Sequence, residues 1–268
     1  AREAPGVLCV LTAADVPGKR FVGVIRQDWP HMIAEGEVTR YIGDVLAGAV
    51  AETEQMAREA VEQIRVEYEV LPTITDPQDA MQPGRPMVHP GTDSNVLSRS
   101  RTGRGDVAAA EATSAYISRG TYRTQCIEHG YMEPECAIAY PSQNGLDILS
   151  QGQGVYEDRK QIASLMGWPE ERVRVILVPN GGGFGGKEDL SVQGHAALMA
   201  HMLQMPVKVR LNRAESINMH PKRHPVRMDY SVGCDANGKL TFVRAKFIGD
   251  TGAYASVGMK VLERCAGH

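Results

Sequence analysis

Residues 181–188 read Gly-Gly-Gly-Phe-Gly-Gly-Lys-Glu, five glycines in six positions around one aromatic. Glycine lets backbone N–H groups approach a ligand closely, and it tolerates positive φ. Such a run costs conformational entropy on folding, so a steric demand is expected behind it. The stretch before it (173–178, VRVILV) predicts a strand, and 189–202 predicts a helix. A glycine-rich turn leading into a helix suits an anionic or oxygen-rich ligand. Two phosphate-binding patterns are partly met. Gly181-x-Gly183-x-x-Gly186 satisfies the dinucleotide fingerprint, and Gly181 to Gly186-Lys187 gives most of a P-loop. The P-loop next needs Ser or Thr, but position 188 is Glu, whose carboxylate would repel a phosphate. The dinucleotide reading needs an acidic residue after the next strand, and 206–211 is followed by Asn212-Arg213. A tight glycine turn without any ligand stays open beside these two.

The other reactive side chains exclude more than they suggest. The five cysteines (Cys9, Cys126, Cys136, Cys234, Cys265) include no C-x-x-C pair. An odd number at wide spacing argues against a disulfide scaffold and against zinc or iron–sulfur ligation, and it fits a reducing cytoplasm. His195, His201, His220 and His224 follow no metal-ligand spacing, while His129 and Glu133 read as structural hydrogen-bonders. A net charge of −3 points to neither nucleic acid nor an anionic membrane, and 43% apolar residues support a real core. No apolar run is long enough to span a bilayer. The sequence opens on Ala1-Arg2 without Met and ends at Cys265-Ala266-Gly267-His268 without a finishing element, so a piece of a longer chain is expected.

The elements that must position these residues divide the sequence. Segment 6–11 predicts a buried strand, Thr12 a cap for a helical turn ended by Pro17, and 45–51 a second strand. Residues 53–64 predict a helix, with Thr53 as N-cap and Met56, Ala57, Ala60, Val61 and Ile64 on one face. The alternation in 65–70 (RVEYEV) predicts a strand closed by Pro72. These make an α/β unit over 1–76. Residues 77–110, rich in Pro, Gly and Ser, predict an extended linker. From 111 to 268 the pattern predicts strands over 114–122, 137–140 and 146–150, then a helix over 156–166. The glycine loop, its helix and the 206–211 strand follow. A hairpin closes the pattern: 226–232, a turn at Asp235-Ala236-Asn237-Gly238, and a return strand over 240–248.

Four patches combine in one order: Gln125 to Glu135, Ser150-Gln151-Gly152-Gln153, Gly181 to Glu188, and Gly249-Asp250-Thr251-Gly252-Ala253-Tyr254 leading to Glu263-Arg264. In this order and spacing they resemble the molybdenum hydroxylases, the xanthine dehydrogenase / aldehyde oxidase family. Arg40-Tyr41-Ile42-Gly43-Asp44 and the Glu52-Thr53 helix resemble that family's α/β hammerhead domain. The resemblance implies an α+β fold. A hammerhead domain over 1–76 would be followed by the first part of a molybdopterin-binding domain over 111–268. It also implies a molybdenum–molybdopterin cofactor, with or without a nucleotide tail, shared with the rest of the large subunit. Gln153, with Gln151 as alternate, would meet the cofactor through a neutral amide, and Gly183, Phe184 and Gly185 through the main chain. Glu188 would bind a purine-like N-heterocycle, and Arg264 would bind it and stabilise negative charge in the transition state. Water would supply the oxygen. The general-base glutamate would lie outside this chain, and iron–sulfur and flavin groups on other domains or subunits. The isolated chain would therefore be inactive. Plainer roles stay open: Gln153 as a helix cap, Glu188 as a first-turn charge on a helix dipole, Arg264 as a surface residue. An aldehyde substrate, or a non-catalytic assembly protein keeping the fold, is the alternative.

Overall fold

The computed structural model describes residues 1–267. Its elements run β1 (Val7–Thr12), β2 (Phe21–Val22), β3 (Trp29–Pro30), β4 (Ala47–Ala51), α1 (Glu54–Glu62), α2 (Pro77–Ala80), α3 (Val107–Thr113), β5 (Tyr116–Arg123) and β6 (Cys136–Pro141). They continue β7 (Leu146–Ser150), α4 (Val155–Met166), β8 (Val173–Leu177), α5 (Val192–Leu203), β9 (Val207–Arg210), α6 (Arg213–Met219), β10 (Val226–Cys234), β11 (Leu240–Gly249) and α7 (Gly258–Gly267). The fold is α+β. Two compact units form, each from two stretches of sequence. Unit 1 joins Ala1–Val70 to Glu128–Lys222, and unit 2 joins Leu71–Ile127 to the residues from Arg223 onward.

Unit 1 is built on a four-stranded sheet of order β8-β7-β6-β9. β7 and β8 are parallel, whereas β6 runs antiparallel to β7 and to β9. Parallel neighbours need a crossover, and α4 supplies it. Ala139 of β6, Ile148 of β7, Ile162 and Leu165 of α4, and Ala196 of α5 are wholly buried. α5 is buried over nine consecutive residues, Val192 to Ala200, as a helix with protein on all sides must be. Leu11 of β1 and Met32 complete this core from the N-terminal segment. Each large aliphatic side chain so buried stabilises by about 1.5–3 kcal/mol. β1 pairs antiparallel with β4, and α1 packs on β4, its N-cap Thr53 accepting a hydrogen bond from Met56 N at 3.2 Å.

The strand expected at 65–70 does not form. The backbone there pairs with no other strand among the described residues, and Val66, Tyr68 and Val70 stand exposed. Alternation describes which face a strand would bury, but a strand also needs a neighbouring edge for its N–H and C=O groups. Among the described residues, β1 and β4 form a two-stranded sheet that 65–70 does not join. One helix went unread in this unit: α6 follows the 206–211 strand directly. Its capping box is complete, with Asn212 Oδ1 accepting from Glu215 N at 2.9 Å and Glu215 Oε2 from Asn212 N at 2.7 Å.

Unit 2 is a three-stranded antiparallel sheet of order β11-β10-β5, with α3 packed on β11. The hairpin turn is held by Asp235, whose Oδ1 accepts from Asn237 N at 2.9 Å and Lys239 N at 3.0 Å, and Gly238 takes φ +81°. Segment 77–110 lies in this unit, with α2 at its start and α3 beginning at its end. Asn95 organises the loop between them, donating to Ala80 O and Pro86 O and accepting from Val88 N.

Candidate active site

The two parallel strands of unit 1 end side by side, and Val178 N donates to Ser150 O where they stop. Beyond β7 the chain runs Gln151-Gly152-Gln153 into α4; beyond β8 it runs through the glycine loop into α5. Ligands of sheets with parallel strands collect at such carboxyl ends. The two crossings touch through Gln153. Its N donates to Lys187 O at 2.8 Å, and its side-chain Oε1 accepts from Gly185 N at 3.0 Å and Lys187 N at 3.2 Å. An atom facing two N–H groups is the amide oxygen, so Nε2 is turned away from the loop, and it has no partner among the described residues. Gly183 N and Phe184 N are likewise unpartnered there.

Sterics explain the glycines. A Cβ on Gly183 would stand 2.4 Å from Gln153 Oε1, and one on Gly186 would stand 2.9 Å from His129 Nδ1 and from Tyr131 Cε1. Gly182 and Gly185 take φ of +101° and +89°. Phe184 between them takes φ +54°, a left-handed conformation that costs a non-glycine residue of order 1–3 kcal/mol. Phe184 is 73% exposed, so burial does not offset that cost. Glu188 follows, also exposed. Thus Gln153, Gly183, Phe184, Gly185 and Glu188 all lie in unit 1, in and against one loop. Arg264 lies in unit 2, exposed in the last turn of α7. Of the two expected hydrogen-bonders, Glu133 serves the loop, its Oε2 accepting from Gly181 N at 2.7 Å, whereas His129 lies beside Gly186 with its buried Nδ1 lacking a hydrogen-bond partner among the described residues.

Beneath the loop is a buried polar layer that sequence reasoning missed. Lys187 is only 4% exposed; its Nζ donates to Gln151 Oε1 and to Glu133 O, each at 2.8 Å, and lies 4.5 Å from the centre of the Tyr131 ring. Burial lowers its pKa, against the pull of Glu135 and Glu133. Tyr131 donates its hydroxyl to Glu135, and His220 lies between carboxylates, Nδ1 3.3 Å from Glu135 and Nε2 2.9 Å from Glu128. Burial works to raise the Glu135 carboxyl, but the His220, Tyr131 and Ser216 contacts outweigh it and hold it down at about 2. Behind Gly152 sits Asp158 of α4, wholly buried, with Oδ2 accepting from Ser150 Oγ at 3.1 Å. Burial pushes its carboxyl up to about 7. Nothing in sequence marks a lysine as buried; the one available signal was its place directly after the glycines.

No group of three or more His, Cys, Asp or Glu side chains among the described residues is arranged to hold a metal ion. The donors on offer are neutral N–H groups, which suit the oxygen atoms of a bulky group rather than a bare cation. Family models match nearly the whole chain. A molybdopterin cofactor-binding domain matches residues 88–268, and an aldehyde oxidase and xanthine dehydrogenase a/b hammerhead domain matches residues 1–72.

The chain belongs to the molybdenum hydroxylase family. This molybdenum hydroxylase chain is 38% identical over its whole length to a probable xanthine dehydrogenase component of Bacillus subtilis, covering 36% of that protein. It is 36% identical to the nicotinate dehydrogenase large molybdopterin subunit of Eubacterium barkeri, again over its whole length and 62% of the relative's. It therefore spans only part of the length of these relatives. Among solved structures, an aldehyde oxidoreductase from Desulfovibrio gigas superposes with a TM-score of 0.86 at 26% identity, over 93% of this chain and 28% of that one. The site fits the family's cofactor. Gln153 Nε2, Gly183 N and Phe184 N are uncommitted neutral donors, and at Gly185 a Cβ would meet nothing nearer than His129 Nε2 at 4.0 Å, so the backbone there is open to close approach.

Proposed function

We propose that this chain forms part of the molybdenum-cofactor site of a hydroxylase that oxidises a purine-like N-heterocycle, with water as the oxygen source. The observation that carries the reading is the lock between Gln153 and the glycine loop, which leaves three neutral donors for a ligand in one small region. Gln153 Nε2 and the main chain of Gly183, Phe184 and Gly185 would hold the molybdenum–molybdopterin group. When bound, that group supplies the two-electron oxidation and the oxygen transfer. The chain's own residues bind and orient. The left-handed bend at Phe184 keeps its ring out of the core, where a flat heterocycle can lie against it. Glu188, four residues on, accepts hydrogen bonds from ring N–H groups. Arg264 stabilises negative charge on the substrate's oxygen as it develops.

The names of two relatives support a nitrogen heterocycle, since xanthine and nicotinate both are one. The likeness to an aldehyde oxidoreductase favours an aldehyde as the second reading. The remaining length of the relatives makes the rest of the large subunit a necessary partner on this view, with iron–sulfur and flavin modules taking the electrons. The general base would come from that further length. No described helix is long and apolar enough to cross a membrane. We place the enzyme in the cytoplasm, consistent with five unpaired cysteines.

The test is Glu188→Gln and Arg264→Met in the complete enzyme. Each is expected to lower kcat/KM for a purine by about 10²–10³-fold, the usual effect of removing one transition-state donor, while sparing aldehyde turnover. An unchanged purine kcat/KM in Glu188→Gln removes the substrate role of that residue. The 268-residue chain alone is expected to retain no stoichiometric molybdenum and to oxidise no xanthine. Metal analysis with a turnover assay checks this, and stoichiometric metal with turnover refutes it.

A further inference from the structure

A buried ammonium is costly. Taking it out of water costs several kcal/mol, recovered only through good hydrogen bonds and a nearby opposite charge. Lys187 is in that position on all counts, and a surface lysine followed by an ordinary turn would have been cheaper. Its contacts show what the arrangement secures. The side chain reaches back under the glycine loop to Gln151 Oε1 and Glu133 O, and stacks on Tyr131, with Glu135 close enough to favour its charge. Its own main chain, meanwhile, makes two of the three hydrogen bonds to Gln153. One residue thus grips the segment after β7 twice, by side chain at Gln151 and by backbone at Gln153. It ties the same loop to the strip before β6.

The loop needs such a grip. Residues 181–186 hold five glycines, each with more backbone freedom to lose than any other residue. Ordering the stretch costs about 1–2 kcal/mol per residue. No apolar side chain of the loop packs down to offset it, since Phe184 faces solvent.

We propose that Lys187 is the positioning residue of this site: its buried ammonium clamps the glycine loop against Gln151 and Glu133, and so fixes the direction of Gln153 Nε2 and of the Gly183 and Phe184 N–H groups. This rests on the proposed function for its consequence in catalysis, though the clamp itself does not depend on what binds.

The experiment compares Lys187→Met, which keeps the length but removes charge and donors, with Gln151→Met, which removes one acceptor and leaves the lysine. Both are made in the complete enzyme. Hydrogen exchange of amides 185–187, the loop N–H groups that are hydrogen-bonded, is expected to quicken at least tenfold in Lys187→Met and severalfold in Gln151→Met, with α5 amides within twofold of the parent. In cofactor-loaded enzyme, kcat per molybdenum is expected to fall about tenfold in Lys187→Met, with KM within twofold. Parent-like exchange of 185–187 overturns the clamp, as does a loss of protection spread evenly through α5 and β7. An unchanged kcat per molybdenum overturns its role in the reaction. If Lys187→Met fails to fold, Gln151→Met decides by the same exchange criterion. A parent enzyme that holds no molybdenum defeats the functional reading and leaves the exchange result to judge Lys187 by itself.

Discussion

Two positions in the loop separate stability from function. In Gly183→Ala the new Cβ meets the end of the Gln153 side chain, which is exposed and can swing aside. The fold survives, but Gly185 N and Lys187 N lose their acceptor. A stability loss of about 1–3 kcal/mol is expected for the two hydrogen bonds, measured by denaturant unfolding. Molybdenum content should fall with it, because the amide no longer points outward. Phe184→Gly works the other way. It relieves a left-handed non-glycine residue whose ring buries little, so stability should hold or rise by about 1 kcal/mol while turnover drops. A variant that loses stability and keeps its activity would show that the strained aromatic is there for packing. The glycines were legible in sequence as a steric demand, because five in six positions cost conformational entropy on folding. The pairing of their amides with Gln153 was not, because residues 32 and 34 apart in sequence give no local sign of contact.

The helices of unit 1 carry two buried groups with opposing pH dependence. Asp158 of α4 goes from an ordinary 3.8 to about 7 on folding. The folded state holds the extra proton, so its contribution falls as pH rises through that interval, by roughly 4 kcal/mol at about 1.4 kcal/mol per unit. His195 of α5 stacks on His31 with ring centres 3.9 Å apart, and burial lowers it from 6.5 to about 4. Here the unfolded state binds the extra proton, so stability is lost as pH falls from 6.5 towards 4, by roughly 3 kcal/mol. His31, also driven down by burial, adds to that loss. Asp158 thus offsets part of the acid sensitivity. Asp158→Asn is expected to be more stable than the parent at pH 8 and to lose stability more steeply between pH 6.5 and 4. Urea unfolding at several pH values checks this, and parallel curves for the two proteins would contradict it. Element reading from sequence succeeded where burial follows a simple period, as in α1 and the β10–β11 hairpin. It failed at 65–70, where an alternating segment pairs with no strand. It also passed over α6, although Asn212 and Glu215 stand at capping-box spacing.

At the scale of the molecule, the sheet of unit 2 leaves one face open. Tyr122 lies opposite Met228, which pairs on to Phe247; Tyr116 lies opposite Cys234, which pairs on to Leu240. Of these, Tyr116, Tyr122 and Leu240 are exposed at 65%, 56% and 66%. Facing pairs project to one side of a sheet, so these side chains make a continuous apolar surface. The 268-residue chain should bind a hydrophobic dye and self-associate as its concentration rises, and Tyr122→Lys with Leu240→Lys should reduce both. A parent chain that stays monomeric and dye-free in sedimentation and fluorescence measurements would contradict this. The interleaved path has its own consequence. The chain changes unit at residues 70/71, 127/128 and 222/223. During synthesis, neither unit can close until the ribosome has passed its second stretch, so the early segment waits, half-dressed, for kin more than fifty residues downstream. The same topology leaves the body carrying the glycine loop indifferent to a break between 71 and 127. Two polypeptides divided there and expressed together should find each other and rebuild it.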